Sequence, residues 1–325
     1  MISSTLPRIS AYLLLVAIVA CGILTAQPVD AAAPMVKTSA PGYYRIMLGD
    51  FEITALSDGT VSLPMDKLLT NTTLSATAIA FEKYHLKNPV ETSVNTYLIN
   101  TGAKLVMVDT GAAELFGPTL GNLLKNLRAS GYQPEQIDEI YITHMHGDHI
   151  GGLMVGAKLA FPNAVVRADK RDADFWLSQA NLDAAPAADK GGFQGAMASI
   201  NPYVKAGKFQ PFDGSTTLVS GIKAVPSYGH TAGHTTYVVE SKGEKLVLWG
   251  DLMHVAAVQF DNPSVTIQFD GNSKAAAAER AKAYADAAKE GYLVGATHLS
   301  FPGLGRLRKG GKAYIWMPVN YTVLR

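Results

Sequence analysis

The run Thr143-His144-Met145-His146-Gly147-Asp148-His149 places three histidines and an aspartate within six residues. The stretch before it, Ile137-Asp138-Glu139-Ile140-Tyr141-Ile142, alternates and carries β-branched residues, the pattern of a strand. Imidazoles and a carboxylate gathered at a strand's end are the donors that a borderline divalent cation takes. On extended backbone His144 and His146 point to one side and chelate one ion. Asp148 and His149 follow where the chain turns and are placed to hold a second ion nearby. The plain alternative is a His-rich surface loop or helix cap. Further candidate ligands at other strand ends count against it.

Those candidates follow four predicted strands. Val108-Asp109-Thr110-Gly111 follows a strand over about 104–108, and Gly229-His230-Thr231-Ala232-Gly233-His234 follows one over about 222–225. Trp249-Gly250-Asp251 follows a strand over about 245–248, and Thr297-His298 one over about 293–296. Seven of these residues make a two-metal site: His144, His146 and His230 on one ion, Asp148, His149 and His298 on the other, with Asp251 bridging. Strands are also predicted over about 45–48, 51–56, 94–99 and 236–239, and helices over about 118–130, 171–180 and 273–289. The stretch 182–192, rich in Ala, Pro, Asp and Gly, reads as a mobile loop. Strand pairs with helices attached, twice over, predict an α/β fold of two packed sheets with helices outside.

Residues 1–33 read as a signal peptide and 34–325 as a single domain. Arg8 precedes an apolar run, with small residues at Ala26 and Ala31-Ala32-Ala33 where a peptidase cuts. The run is too short for a convincing membrane span, so export to a periplasm is expected, with no membrane span in the mature form. The single cysteine, Cys21, lies in this segment, within a box that also fits lipid anchoring. After conventional cleavage no thiolate remains, and any metal must sit on His and carboxylate. A formal net charge of +1 over 325 residues, with no block of like charge, argues against a nucleic-acid partner.

The His-x-His-x-Asp-His run at 144–149 resembles the signature of the metallo-β-lactamase superfamily. From about residue 41 onward the chain resembles the methyl parathion hydrolase family, closest to its dihydrocoumarin- and lactone-hydrolysing relatives. The resemblance rests on Pro41-Gly42-Tyr43-Tyr44, on Leu48-Gly49-Asp50-Phe51-Glu52-Ile53-Thr54-Ala55-Leu56-Ser57-Asp58-Gly59, and on Val255-Ala256-Ala257-Val258-Gln259-Phe260-Asp261. It implies an αβ/βα sandwich of two mixed sheets flanked by helices, a dinuclear site at one sheet edge, secretion and a homodimer. It selects His230 as the ligand of its loop and leaves His234, like Asp109, to hold a ligand or its loop in place. His85 matches no motif and reads as a surface histidine.

The resemblance also implies a substrate pocket of Leu68, Phe116, Trp176, Phe193, His254, Ile267 and Phe269. Gly147 stands where that family usually has proline, and His254 stands three residues after Asp251, where its phosphotriesterases have leucine. Leu68, Ile267 and Phe269 resemble the lactone-hydrolase version of the pocket. Asp251 and His254 are the expected catalytic residues, with a hydroxide bridging two divalent ions as nucleophile. Zinc is the default metal for this ligand set, and manganese, cobalt or iron also fit. The substrate so implied is a small, neutral aromatic lactone or ester, with weak phosphotriester cleavage alongside. The alternatives are an organophosphate triesterase and, from another class, a metal-binding protein without chemistry.

Overall fold

The computed structural model describes residues 33–324. The expected export segment, apart from Ala33, and Cys21 with its lipid-anchoring box lie outside the described residues. The chain divides into a unit ending at Ala40 and a compact unit over Pro41–Arg325. Residues 33–40 are exposed and hold no helix or strand. Among the described residues no helix is long and apolar enough to cross a membrane.

The compact unit is built on two mixed sheets. The first runs, in spatial order, β1 (Tyr43–Leu48), β2 (Phe51–Leu63), β3 (Val90–Asn100), β4 (Leu105–Val108), β5 (Glu139–Tyr141) and β6 (Val165–Arg167). The second runs β7 (Thr216–Val219), β8 (Ile222–Pro226), β9 (Thr235–Ser241), β10 (Glu244–Leu248), β11 (Leu293–Gly295), β12 (Leu304–Gly310) and β13 (Ala313–Pro318). In both, spatial neighbours are also neighbours in this order, as hairpins and short crossovers require. The helices used below are α1 (Leu123–Ala129), α2 (Gly147–Ile150), α3 (Lys170–Trp176), α4 (Gln179–Ala184), α5 (Lys190–Lys205) and α6 (Ser273–Glu290).

The period-2 alternation of the central strands creates the layers. In the first sheet Tyr97, Ile99, Val106, Val108 and Tyr141 face the second sheet, where Ala224, Tyr237, Val239, Leu246 and Leu248 meet them. The intervening residues Leu98, Met107 and Ile140 face outward onto Leu123, Leu127, Ala196 and Ile200 of α1 and α5. On the far side Val247 and Val294 pack on Tyr284 and Ala287 of α6. Both faces of the central strands are therefore buried, and the fold is an αβ/βα sandwich.

Three local expectations are corrected. The helix expected from 118 begins at Leu123, because Gly117 and Gly121 take left-handed φ values of 96° and 84°. The expected loop over 182–192 narrows to residues 185–189, because α4 runs to Ala184 and α5 starts at Lys190. Gly191, Gly192, Gly195 and Pro202 make α5 look like loop in sequence, but Phe193, Ala196, Ile200 and Tyr203 bury one face of it, and packing outweighs propensity. Beyond the strand expected near 293–296, where no further strand is expected, the β12–β13 hairpin follows.

Candidate metal centre

Parallel pairing gathers the functional loops at one edge. β4 and β5 run parallel, as do β10 and β11. β8 is antiparallel to β9, and β9 to β10, so β8 points the same way as β10. The loops leaving β4, β5, β8, β10 and β11 carry Asp109, His144 to His149, His230 to His234, Asp251 and His298. The two sheets are tied together here: Tyr237 Oη donates to Ile142 O at 2.7 Å and Thr235 N to Thr143 O at 2.9 Å.

The structure brings all seven expected ligands together, in two groups able to bind a metal. His144, His146, His230 and Asp251 form one; Asp148, His149, Asp251 and His298 form the other, with one donor atom from each residue within 4.8 Å of the rest. Asp251 belongs to both. Its carboxylate oxygens lie 3.1 Å from His149 Nε2, 3.1 Å from His298 Nε2 and 3.3 Å from His230 Nε2.

The second ring nitrogen of most of these histidines is already engaged. His149 Nδ1 lies 2.8 Å from Asp109 Oδ2, His230 Nδ1 2.9 Å from Asp270 Oδ1 and His298 Nδ1 2.9 Å from Ser93 O. His144 Nδ1 lies 3.1 Å from the Thr143 hydroxyl, which donates to Asp109. Each acceptor takes the Nδ1 proton, so Nε2 presents its lone pair to the centre. His146 is the exception and faces His230 Nε2 with Nδ1, at 3.1 Å.

The donors fit a divalent cation. His144 Nε2, His149 Nε2 and Asp251 Oδ1 are buried with no hydrogen-bond partner, an arrangement that costs about 1–3 kcal/mol per group when nothing binds there. Imidazole nitrogen with carboxylate oxygen, and no thiolate, is the set of zinc and its neighbours. Burial pushes His144 and His146 well below the usual histidine range, which keeps them neutral, the form that coordinates. Burial also opposes charge on Asp251, but the His149, His298 and His144 imidazoles outweigh it and hold that carboxyl well below its usual range.

Two residues expected to hold ligands in place touch the centre through hydrogen bonds. Asp109 adopts φ 61°, a costly backbone for a non-glycine residue; there its carboxylate accepts from Thr143 N as well as from His149. His234 Nδ1 donates to Ser227 O at 3.0 Å, and its Nε2 accepts from Asp251 N at 3.1 Å. That second bond requires neutral imidazole, and burial pushes His234 down to about 3. Gly250 makes room for it: a Cβ there would lie 2.9 Å from His234 Nε2, and the residue's φ is 55°. His234→Leu is therefore expected to leave the Asp251 N–H unpaired and to weaken metal affinity about 10–100-fold. A chelator-competition titration checks this; unchanged affinity would remove His234 from the account.

Further supports carry no sequence motif. Asp172 of α3 accepts from Met145 N, Thr231 Oγ1 and Gly233 N, and so clamps the two histidine loops together. The buried Gln259 accepts through Oε1 from the backbone N–H groups of His254 and Val255. Asp270 and Ser93 hold His230 and His298. Apart from the Gln259 bonds, which span four and five residues, these contacts span tens to hundreds of residues in sequence, so no local spacing announces them.

A cavity of about 320 Å³ opens on the centre and is lined by Asp148, Asp251, His254 and His298 and walled by Phe116, Trp176 and Phe269. A larger one, about 680 Å³, shares His146, Trp176 and Phe269 with it and adds Phe193. A third, about 690 Å³ and lined by Asp58, Leu120 and Ser199, holds none of the seven candidate ligands. Leu68 and Ile267, expected at the pocket wall, line none of these cavities. Ile267 is fully buried among Met65, Val255 and Val265, where Thr266–Ile267 pairs with Leu69–Thr70, and Leu68, at the end of the short helix Met65–Leu68, packs on the same cluster. Phe116 is half exposed, and its ring occupies the space where a Cβ at Gly147 would lie, 2.7 Å from Cε2. His85 is exposed.

The chain matches the family model described as Metallo-beta-lactamase superfamily over residues 89–298. The crystal structure of the hydrolase AbOPH, of the beta lactamase superfamily, is 36% identical with a TM-score of 0.84, covering 88% of this chain and 100% of that one. AidC, a dizinc quorum-quenching lactonase in complex with a product, is 27% identical with a TM-score of 0.78, covering 87% of this chain and 99% of that one. The Drosophila melanogaster Beta-lactamase-like protein 2 homolog is 30% identical over 48% of this chain; the match spans 46% of that relative's length. An N-acyl homoserine lactonase of Bacillus sp is 25% identical over 57% of this chain and 74% of its own.

Proposed function

The chain belongs to the metallo-beta-lactamase superfamily, and on that premise we propose that it is a dinuclear metal hydrolase that opens lactones and aryl esters of the dihydrocoumarin kind. The observation that carries this is the small cavity over the paired ligand groups, walled by aromatic rings, with His254 turned into it. Lactonases among its relatives support the lactone class. Zinc is the expected metal, and AidC is a dizinc enzyme.

His144, His146, His230 and Asp251 would hold one ion, and Asp148, His149, His298 and Asp251 the other. Bound there, two such ions supply a hydroxide nucleophile at neutral pH and polarise the substrate's carbonyl. The chain's own residues do the rest. Phe116, Trp176 and Phe269 stack a flat neutral substrate and exclude water. Trp176 stands edge-on to His146, with ring centroids 5.4 Å apart, and fixes one wall.

His254 acts on the leaving oxygen. Both its ring nitrogens are buried without a hydrogen-bond partner, although Nε2 lies 3.2 Å from Asp251 Oδ2. Burial, partly offset by Asp251, pushes it down to about 4, so the ring is neutral and keeps one N–H that hydrogen-bonds to the leaving oxygen and steadies the charge developing there as the ester C–O bond breaks. Gln259 holds its backbone from behind. His254→Leu is expected to lower kcat/KM for dihydrocoumarin about 100-fold, the scale of a lost hydrogen-bond donor to developing charge, and to leave methyl parathion turnover little changed. Equal losses on both substrates would remove His254 from the chemistry. The resemblance to the methyl parathion hydrolase family is the reason to expect weak phosphotriester cleavage in the same pocket.

A further inference from the structure

We propose that Arg280 and Asp270 are positioning residues for His230, and that this buried relay governs the affinity of the ion held by His144, His146, His230 and Asp251 without governing its neighbour. This rests on the dinuclear reading above and adds to it which residues set the two ions apart.

Asp270 lies between two partners. Its Oδ1 is 2.9 Å from His230 Nδ1, and its Oδ2 accepts from Ile267 N at 3.2 Å while facing Arg280 Nη2 at 3.8 Å. The Asp270 and Arg280 side chains are fully buried. Arg280 reaches this point from the middle of α6. Its Nε donates to Leu252 O at 2.5 Å and its Nη1 to Val265 O at 2.6 Å and Pro263 O at 3.0 Å. One guanidinium thus grips both the residue next to Asp251 and the segment that leads to Asp270. Its remaining nitrogen, Nη2, is buried with no hydrogen-bond partner.

A buried cation needs a nearby anion, and Asp270 is the carboxylate within ion-pair range of Arg280 among the described residues. A carboxylate placed between a cation and an imidazole N–H cannot swing away, so the ring plane of His230 and its free Nε2 are fixed. The backbone reinforces the same registration. Gly271 N donates to His230 O at 2.9 Å and Asn272 N to Gly229 O at 2.8 Å. Gly229, at φ 148°, lets α6 approach so closely that a Cβ there would lie 2.3 Å from Ala276 N.

The second group has a separate support. His149 is oriented by Asp109, which lies on the loop after β4 and is held by Thr143. The Asp109 relay also reaches His144 through the Thr143 hydroxyl, whereas among the ligand imidazoles the Asp270 relay hydrogen-bonds to His230 alone. Orienting partners of ligand imidazoles typically change metal affinity about 10–100-fold. Asp270 is therefore expected to act on the ion of His230, and Asp109 chiefly on the other, through its direct contact with His149.

The test is zinc content per chain, measured by mass spectrometry after equilibration of the full protein in buffers of graded free zinc, with the melting temperature of the metal-free form in parallel. The wild-type protein is expected to take up two ions. Asp270→Asn and Arg280→Met are expected to weaken one of them about 10–100-fold and to leave the other at its wild-type midpoint; Arg280→Lys, which keeps the charge, recovers part of the loss. Asp109→Asn weakens chiefly the other ion, and the Asp109→Asn/Asp270→Asn double variant weakens both. If Arg280→Met fails to fold, Asp270→Asn, close to isosteric, decides alone. Variants that melt lower without metal yet load both ions at wild-type zinc would reduce the relay to a structural role and overturn the proposal. So would a double variant that still weakens only one ion. A wild-type chain that takes up no zinc would instead overturn the dinuclear reading itself.

Discussion

Replacing Asp251 with alanine is expected to lower kcat/KM for lactone hydrolysis by about 10³-fold or more, the upper end of the loss on removing one electrostatic stabiliser. No other residue belongs to both ligand groups. Its carboxylate is the negative charge around which His144, His149, His230 and His298 are packed, at 3.1 to 3.6 Å. Without it, two cations would sit close together with only Asp148 to offset them. The loss should therefore appear as missing metal as well as missing turnover. Asp251→Asn, which keeps the shape and the bond from Asp251 N to His234, should fail almost as badly, because charge is what is lost. Metal per chain and kcat/KM on the same preparations check this. Full metal loading with normal turnover would contradict it.

Removing the metal should be nearly as severe and should also lower stability. A ligand present at a thousand times its Kd stabilises the folded state by about 4 kcal/mol. For a unit of this size that corresponds to a fall in Tm of roughly 10 °C on chelation. The physical origin is the set of buried, unpartnered donors on His144, His149 and Asp251, which the unfolded chain would return to water. Exhaustive chelation should abolish turnover, and stoichiometric zinc should restore both turnover and Tm. A melting curve insensitive to chelator would mean that the cluster is satisfied internally.

Much of the centre is legible in sequence because its ligands are local. His144, His146, Asp148 and His149 fall in one short run, and His230, Asp251 and His298 each follow a strand by a few residues. The sheets are legible because the strands alternate. The rest depends on tertiary contact. Asp172, Asp270 and Arg280 have ordinary neighbours in sequence, and only the fold carries them to His230 and the histidine loops. Ile267 and Leu68 are apolar residues like those of a pocket wall, and nothing in their composition separates a wall from the layer behind it. For α5, three glycines and a proline obscure a helix whose stability comes from the face it buries. The β12–β13 hairpin left one readable signal, Gly310-Gly311 between two alternating runs.

The most direct test of the central claim is kcat/KM of the zinc-loaded protein on dihydrocoumarin and on methyl parathion, measured side by side. The account predicts a preference of about 100-fold or more for the lactone, the scale that one well-placed donor can supply. A preference for the phosphotriester would contradict it and make the pocket around His254 and Phe269 that of an organophosphate hydrolase.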